Sequence, residues 1–180
     1  MNGEPPYKNT FLVFGTACAA VLSLSVLVAY LNQSGSLIDL DGTIGRMDHP
    51  DMWNNLDILS SLLYSTGDYC CHQETARSLV LNGNQMPMCI RETFLFLGMA
   101  AGFLILSSGS YLPVKERFLL CTFLILLTPL EWYAAHYLGF DSPVLRAIVS
   151  LISGAGFAGF LSAILEKEYE YLGRKSVKFD

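Results

Sequence analysis

Apolar residues in this chain fall into four long blocks with polar stretches between them. Phe11 to Leu31 is a run of 21 residues without a charge, and Phe94 to Leu112 is a second uncharged run. Phe118 to Leu130 opens a third, which continues past Pro129 and Glu131 through Trp132, Tyr133 and Tyr137. Val144 to Leu165 is a fourth and admits only Arg146, near its start, where a long side chain can snorkel to the headgroups. A helix rises about 1.5 Å per residue, so roughly 20 apolar residues cross a bilayer. The blocks predict four membrane-spanning helices over 11–31, 94–112, 118–138 and 144–165. Between the first two lies a long polar segment, 32–93. Within it Leu56, Leu59, Leu62 and Leu63 recur at helical spacing and predict an amphipathic helix over 53–66, ended by Gly67, on the membrane surface or capping the bundle. Asn82-Gly83 marks a turn. The fold class is all-α: a four-transmembrane-helix bundle with a long outward loop containing an amphipathic helix, one membrane domain over 1–180.

Composition sharpens this picture. The 180 residues are 52% hydrophobic and only 15% charged, where a soluble domain carries about 25% charged residues. A net charge of −5 argues against a nucleic-acid partner, which requires a basic face. The lipid bilayer is the partner the sequence demands, with other membrane subunits as candidates. The first block is too long for a secretory leader, and a lipoprotein-type cleavage at Cys18 would cut through its middle, so it is expected to be an uncleaved helix. Four spans place the N-terminus, the Tyr111–Arg117 turn and the C-terminal tail on one side. That side carries Lys8, Lys115, Arg117, Lys167, Arg174, Lys175 and Lys178, seven of the eleven basic residues. The expectation is a multi-pass protein of the cell membrane with both termini cytoplasmic and the segment 32–93 outside.

Small residues predict where helices meet. Gly98 and Gly102 are four apart, and Gly154, Ala155, Ala158 and Gly159 repeat the spacing in the last span. In lipid such positions let backbones approach, here within one bundle. Beyond the last span, Glu166-Lys167-Glu168-Tyr169-Glu170-Tyr171 extends the helix into the cytoplasm, with Gly173 expected to end it. Arg174, Lys175 and Lys178 then form a basic patch suited to anionic headgroups.

The candidate chemistry lies in the outer segment. Asp39, Asp41, Asp48 and Asp51 do not have the spacing of an EF-hand loop and read as a solvated acidic surface. Further on, Cys70, Cys71, His72 and Gln73 are followed by Arg77-Ser78 and then by Gln85, Pro87, Cys89, Arg91 and Glu92. The run Cys71-His72-Gln73, Arg77-Ser78, Gly83, Gln85, Pro87, Cys89, Arg91 resembles the signature of a family of prokaryotic membrane proteins, domain of unknown function 2085. Pro129 with an acidic residue two places later, Arg146 and Gly154 extend the resemblance, which covers roughly residues 60–160. Glu92 stands where the family usually has the second cysteine of a Cys-x-x-Cys pair, Glu131 where it usually has Asp, and His136 where it often has Gln. The resemblance implies a membrane protein and carries no activity with it.

Three readings of the cysteine block follow from its residues. Cys71, His72, Cys89 and Glu92 supply two sulfurs, an imidazole and a carboxylate, a set that zinc accepts in tetrahedral geometry. Cys89 and Glu92 are three apart at a helix start and can face one ion; Cys71 and His72 are adjacent, so one of them could be an outer partner or Cys70 could substitute. Alternatively Cys71 or Cys70 joins Cys89 in a disulfide, stapling the outer loop of a non-enzymatic subunit or scaffold. The weakest reading is a thiol–disulfide redox protein resembling membrane quinone reductases, which carry cysteine pairs in two outer loops. Here the second outer loop, 139–143, has no cysteine, and Cys18 and Cys121 sit inside spans as small hydrophobes.

Ionisable residues inside spans are costly and therefore informative. Glu131 and Arg146 are expected to pair across the third and fourth helices, or to belong with Arg91 to an outward polar pocket roofed by the cysteine block. Glu131 and His136 are the candidate bases should a metal-bound water act in hydrolysis. All these groups map to the outer half of the bundle, and the inner half is expected to be nearly free of ionisable residues, which argues against a conducting pore.

Overall fold

The computed structural model describes residues 7–109 and 112–176, with side chains through Leu172. Tyr111, Lys178 and the side chains of Arg174 and Lys175, all used in the basic-side assignment, lie outside the described residues. The described chain is mostly helical: α1 Tyr7–Leu31, α2 Pro50–Asn54, α3 Ile58–Cys70, α4 Ile90–Ser108, α5 Val114–Tyr137 and α6 Pro143–Ser176. A short antiparallel hairpin, β1 Ser78–Leu81 and β2 Asn84–Cys89, interrupts them. Helices α1, α4 and α5 and the stretch Pro143–Leu172 of α6 are each long and apolar enough to cross a membrane. The four-span expectation therefore holds, while the hairpin corrects "all-α". The chain divides into two compact units, residues 1–19 with 94–180 and residues 20–93.

In the first unit the helices meet over small residues. A Cβ on Gly98 would overlap the Leu151 carbonyl, and one on Gly154 would overlap the Leu95 carbonyl. The two glycines thus lie on one α4–α6 seam where backbone meets backbone, as their spacing predicted. Phe11 of α1 stacks on Phe103 of α4 with centroids 6.3 Å apart, and both pack against Ala158 of α6. Cys121 is buried at the α5–α6 contact against Gly159, a small packing residue. Leu119, Phe123, Leu126 and Leu130 of α5 are exposed; the acyl chains of a bilayer accommodate such a surface, whereas water penalises it. Helix α6 runs on to Ser176, so Gly173 does not end it: a glycine permits a stop but does not impose one when the flanking residues favour helix.

Two buried ion pairs join α5 to α6. Arg146 and Glu131 have almost no side-chain exposure and lie 3.6 Å apart, Nε to Oε1. Arg146 also pairs with Asp141 in the turn before α6. Near the start of α5, Arg117 is buried and pairs with Glu166, whose Oε1 also accepts from the Tyr7 hydroxyl at 3.4 Å. This second pair corrects the expectation that one half of the bundle is nearly free of ionisable groups. Their sequence separation hid it, because Arg117 read as a loop cation and Glu166 as tail.

The second unit has its own core. Trp53 and Tyr64 stack with centroids 5.4 Å apart among Val28, Leu37 and Leu40, and Leu56, Leu59 and Leu63 pack on them. The helix expected over 53–66 is two helices. Asp57 breaks the run by capping α3, its side chain accepting from the backbone N–H of Leu59 and Ser60. Three of the four leucines face this core, and Leu62 is exposed. Gly67 does not end α3, which continues to Cys70. A Cβ there would overlap the Pro87 carbonyl, so the glycine allows β2 to lie against the helix.

Candidate metal centre

The hairpin sets the geometry. Asn82 and Gly83 both have positive φ, 52° and 75°, as a two-residue type I′ turn requires. Leu81 pairs with Asn84, Val80 with Gln85 and Ser78 with Cys89, with an irregularity between the last two pairs. Pro87, which lacks an N–H, occupies β2 across from that break. Its carbonyl instead accepts from the buried Gln73 amide at 2.9 Å.

Two motif glutamines turn out to be framework. Gln85, fully buried, donates through Nε2 to Gln73 O and to Ser78 Oγ (3.2 Å), and its Oε1 accepts from Thr75 Oγ1 at 3.2 Å. Its backbone N–H donates to Leu37 O at 2.7 Å, and its carbonyl accepts from Tyr64 Oη at 2.7 Å. Gln73 takes a φ of 43°, which reverses the chain just after Cys71-His72. These contacts fix where Cys71 stands against the end of β2.

There Cys71, Cys89 and Glu92 converge: their sulfur and carboxylate ligand atoms all lie within 4.8 Å of one another. Cys71 follows the end of α3 and is buried. Cys89 closes β2, and Glu92, three residues on, is in the first turn of α4. A hydrogen bond from Cys71 lowers the Cys89 thiol to about 6 against burial, helped by the backbone N–H groups of Glu92 and Arg91 and by the Arg91 charge. The same bond, together with burial, pushes Cys71 up. The pair thus favours one thiolate beside one thiol, a state that a cation would convert to two bound sulfurs.

The remaining predicted ligands separate. His72 is exposed, with Nδ1 3.3 Å from Gly42 O, and does not join the cluster. Adjacent residues on an extended backbone point to opposite sides, so ligation by Cys71 directs His72 away. Cys70 is exposed, and all five cysteines are free thiols. In the other unit, His136 is exposed and stacks on Trp132 with centroids 5.4 Å apart, on a different face of α5 from the buried Glu131. Sequence reasoning did not find Asp141 as second partner of Arg146, although a carboxylate five residues before an intramembrane arginine at a helix start was a usable signal. It also passed over Asp68, whose place in an apolar helix gave no hint of burial.

Residues 71–160, half of the chain, match the family described as "Predicted membrane protein (DUF2085)". No curated protein and no solved structure matches the chain. The chain belongs to this family of predicted membrane proteins, and its four apolar helices make it a multi-pass membrane protein.

Proposed function

We propose that this member of the DUF2085 family is a metal-binding protein of the cell membrane that holds zinc between Cys71, Cys89 and Glu92. The convergence of three donor atoms within 4.8 Å carries the reading. Two sulfurs and a carboxylate suit zinc, and three protein ligands leave a fourth tetrahedral position for water or a small ligand. Harder cations disfavour thiolate, and softer ones disfavour the carboxylate. The skew of lysine and arginine supports cytoplasmic termini, which would put residues 32–93 and the metal outside.

The test is metal analysis with thiol counting on protein purified in detergent without chelator. The expected result is about one zinc per chain, lost in Cys89→Ser and reduced at least tenfold in affinity in Glu92→Ala. A second reading, a non-enzymatic subunit with a Cys71–Cys89 disulfide, rests on the contact between the two sulfurs. It requires no bound metal and two fewer reactive thiols, and that outcome would replace the first.

A further inference from the structure

Asp68 is fully buried in the second unit. Its Oδ2 accepts from Trp53 Nε1 at 2.8 Å and from the His49 backbone N–H at 3.0 Å. Its Oδ1 is also buried and has no hydrogen-bond partner. Among the described residues no lysine or arginine pairs with it. Burying a carboxylate oxygen with nothing to neutralise it is costly, so such atoms pair, protonate or bind a metal.

The surroundings favour the last. Oδ1 of Asp68 and Oδ2 of Asp48 approach the same bare face of Gly42: a Cβ built there would lie 3.3 Å from the first and 3.0 Å from the second. Oδ2 of Asp48 accepts from Thr43 N at 2.6 Å, and its Oδ1 faces Arg46 Nε at 3.2 Å. Asp68 is thus anchored through Oδ2 and presents an unpartnered Oδ1, while Asp48 presents the Oδ2 that Thr43 N already holds in place, and both oxygens face one volume beside the bare Cα of Gly42. We propose that Asp68 and Asp48 hold a hard divalent cation, calcium foremost, against Gly42. An all-oxygen donor set selects calcium over zinc, and waters complete the six to eight ligands it takes at about 2.3–2.6 Å. Few protein ligands and an exposed loop place the affinity in the weak class, about 10⁻⁴–10⁻³ M.

Trp53 supplies the readout, because its indole donates to the proposed cation ligand and can sensitise terbium luminescence. Full-length protein in detergent micelles, stripped of zinc, is titrated with terbium under tryptophan excitation and then with calcium. The expected result is saturable emission that calcium displaces, lost in Trp53→Phe and retained in Cys89→Ser, so the outcome is independent of the zinc site. Gly42→Ala, which puts a methyl group into the volume while keeping every charge, should cut terbium affinity at least tenfold; Asp48→Asn should do the same without disturbing the buried Asp68. Asp51→Asn, at an exposed carboxylate, should leave it unchanged. Absence of sensitised emission, or equal emission from Gly42→Ala and the parent protein, overturns the proposal and assigns Oδ1 to a proton or a water.

Discussion

The two units solve one problem, burying a polar backbone, by opposite means. In the first, the spans satisfy nearly all of their backbone within helices, Pro129 of α5 being an interruption, and tight association then depends on removing side chains: Gly98 and Gly154 bring carbonyls and Cα atoms of α4 and α6 into direct contact. Among the described residues, buried charge enters as mutual neutralisation, Arg146 with Glu131 and Asp141, Arg117 with Glu166. In the second, the stretch from Asn32 to Asp48 is irregular and the hairpin is short, so backbone groups need outside partners. Buried amides provide them. Asn84 Oδ1 accepts from Leu37 N at 3.1 Å, its Nδ2 donates to Ala29 O at 3.0 Å, and Gln73 and Gln85 do the same around the cysteines. Smallness holds one unit together and polarity the other, so substitutions of similar size should act very differently in the two. Each unit also carries one of the two tryptophans, Trp53 and Trp132, which report on them separately.

The largest effect is expected from Gly154→Leu. A side chain cannot fit where a Cβ already overlaps the Leu95 carbonyl, so folded protein recovered by size exclusion in detergent should fall severalfold, with the Trp132 signal altered. Recovery equal to the parent would break the claim that backbone contact holds the helices. Next is Glu131→Gln. Breaking a buried ion pair costs about 3–5 kcal/mol, and Asp141 remains on Arg146, so the loss should fall at the lower end, read from a Trp132-monitored melt. Gln85→Leu orphans Gln73 O and the buried Leu40 N in the other unit, an expected loss of about 2–4 kcal/mol, seen by Trp53 with little change at Trp132. A shift of both probes together would refute the separation. Asn82→Ala, forced to keep a positive φ, should cost about 1–2 kcal/mol in the hairpin alone.

The smallest effect concerns Asp57. Hydrogen bonds from Ser60, and then from Leu59, hold its carboxyl below the ordinary 3.8. A lowered carboxylate pKa means the cap stabilises α3 above the ordinary value and is lost as pH falls below it. Trp53-monitored stability should therefore drop on acidification below about pH 4, and this step should vanish in Asp57→Ala.

The spans were legible in the linear pattern because a bilayer acts on each residue's transfer free energy, which needs only length and composition. The small-residue seams were legible too, since a spacing of four selects one helix face whatever the partner. The amphipathic helix was half legible: its leucines were apolar and periodic, but the chain cannot say whether such a face meets lipid or a private core, and Asp57 as a cap was overlooked. The hairpin left only its turn, Asn82-Gly83; β2 is buried along its length and so lacks the alternation that marks a half-exposed strand.

Sequence alone therefore determined the four spans and their small-residue contact faces, and it set Cys89 and Glu92 three residues apart at a helix start. Only tertiary structure decided that Cys71 joins them and His72 does not, that Arg146 is shared by two carboxylates, and that Asp68 meets Asp48 across Gly42. The reason is physical: helical and bilayer periodicities are local, whereas these groupings depend on a reversal at Gln73, a bulged hairpin and a bare glycine, whose consequences appear only when distant segments meet.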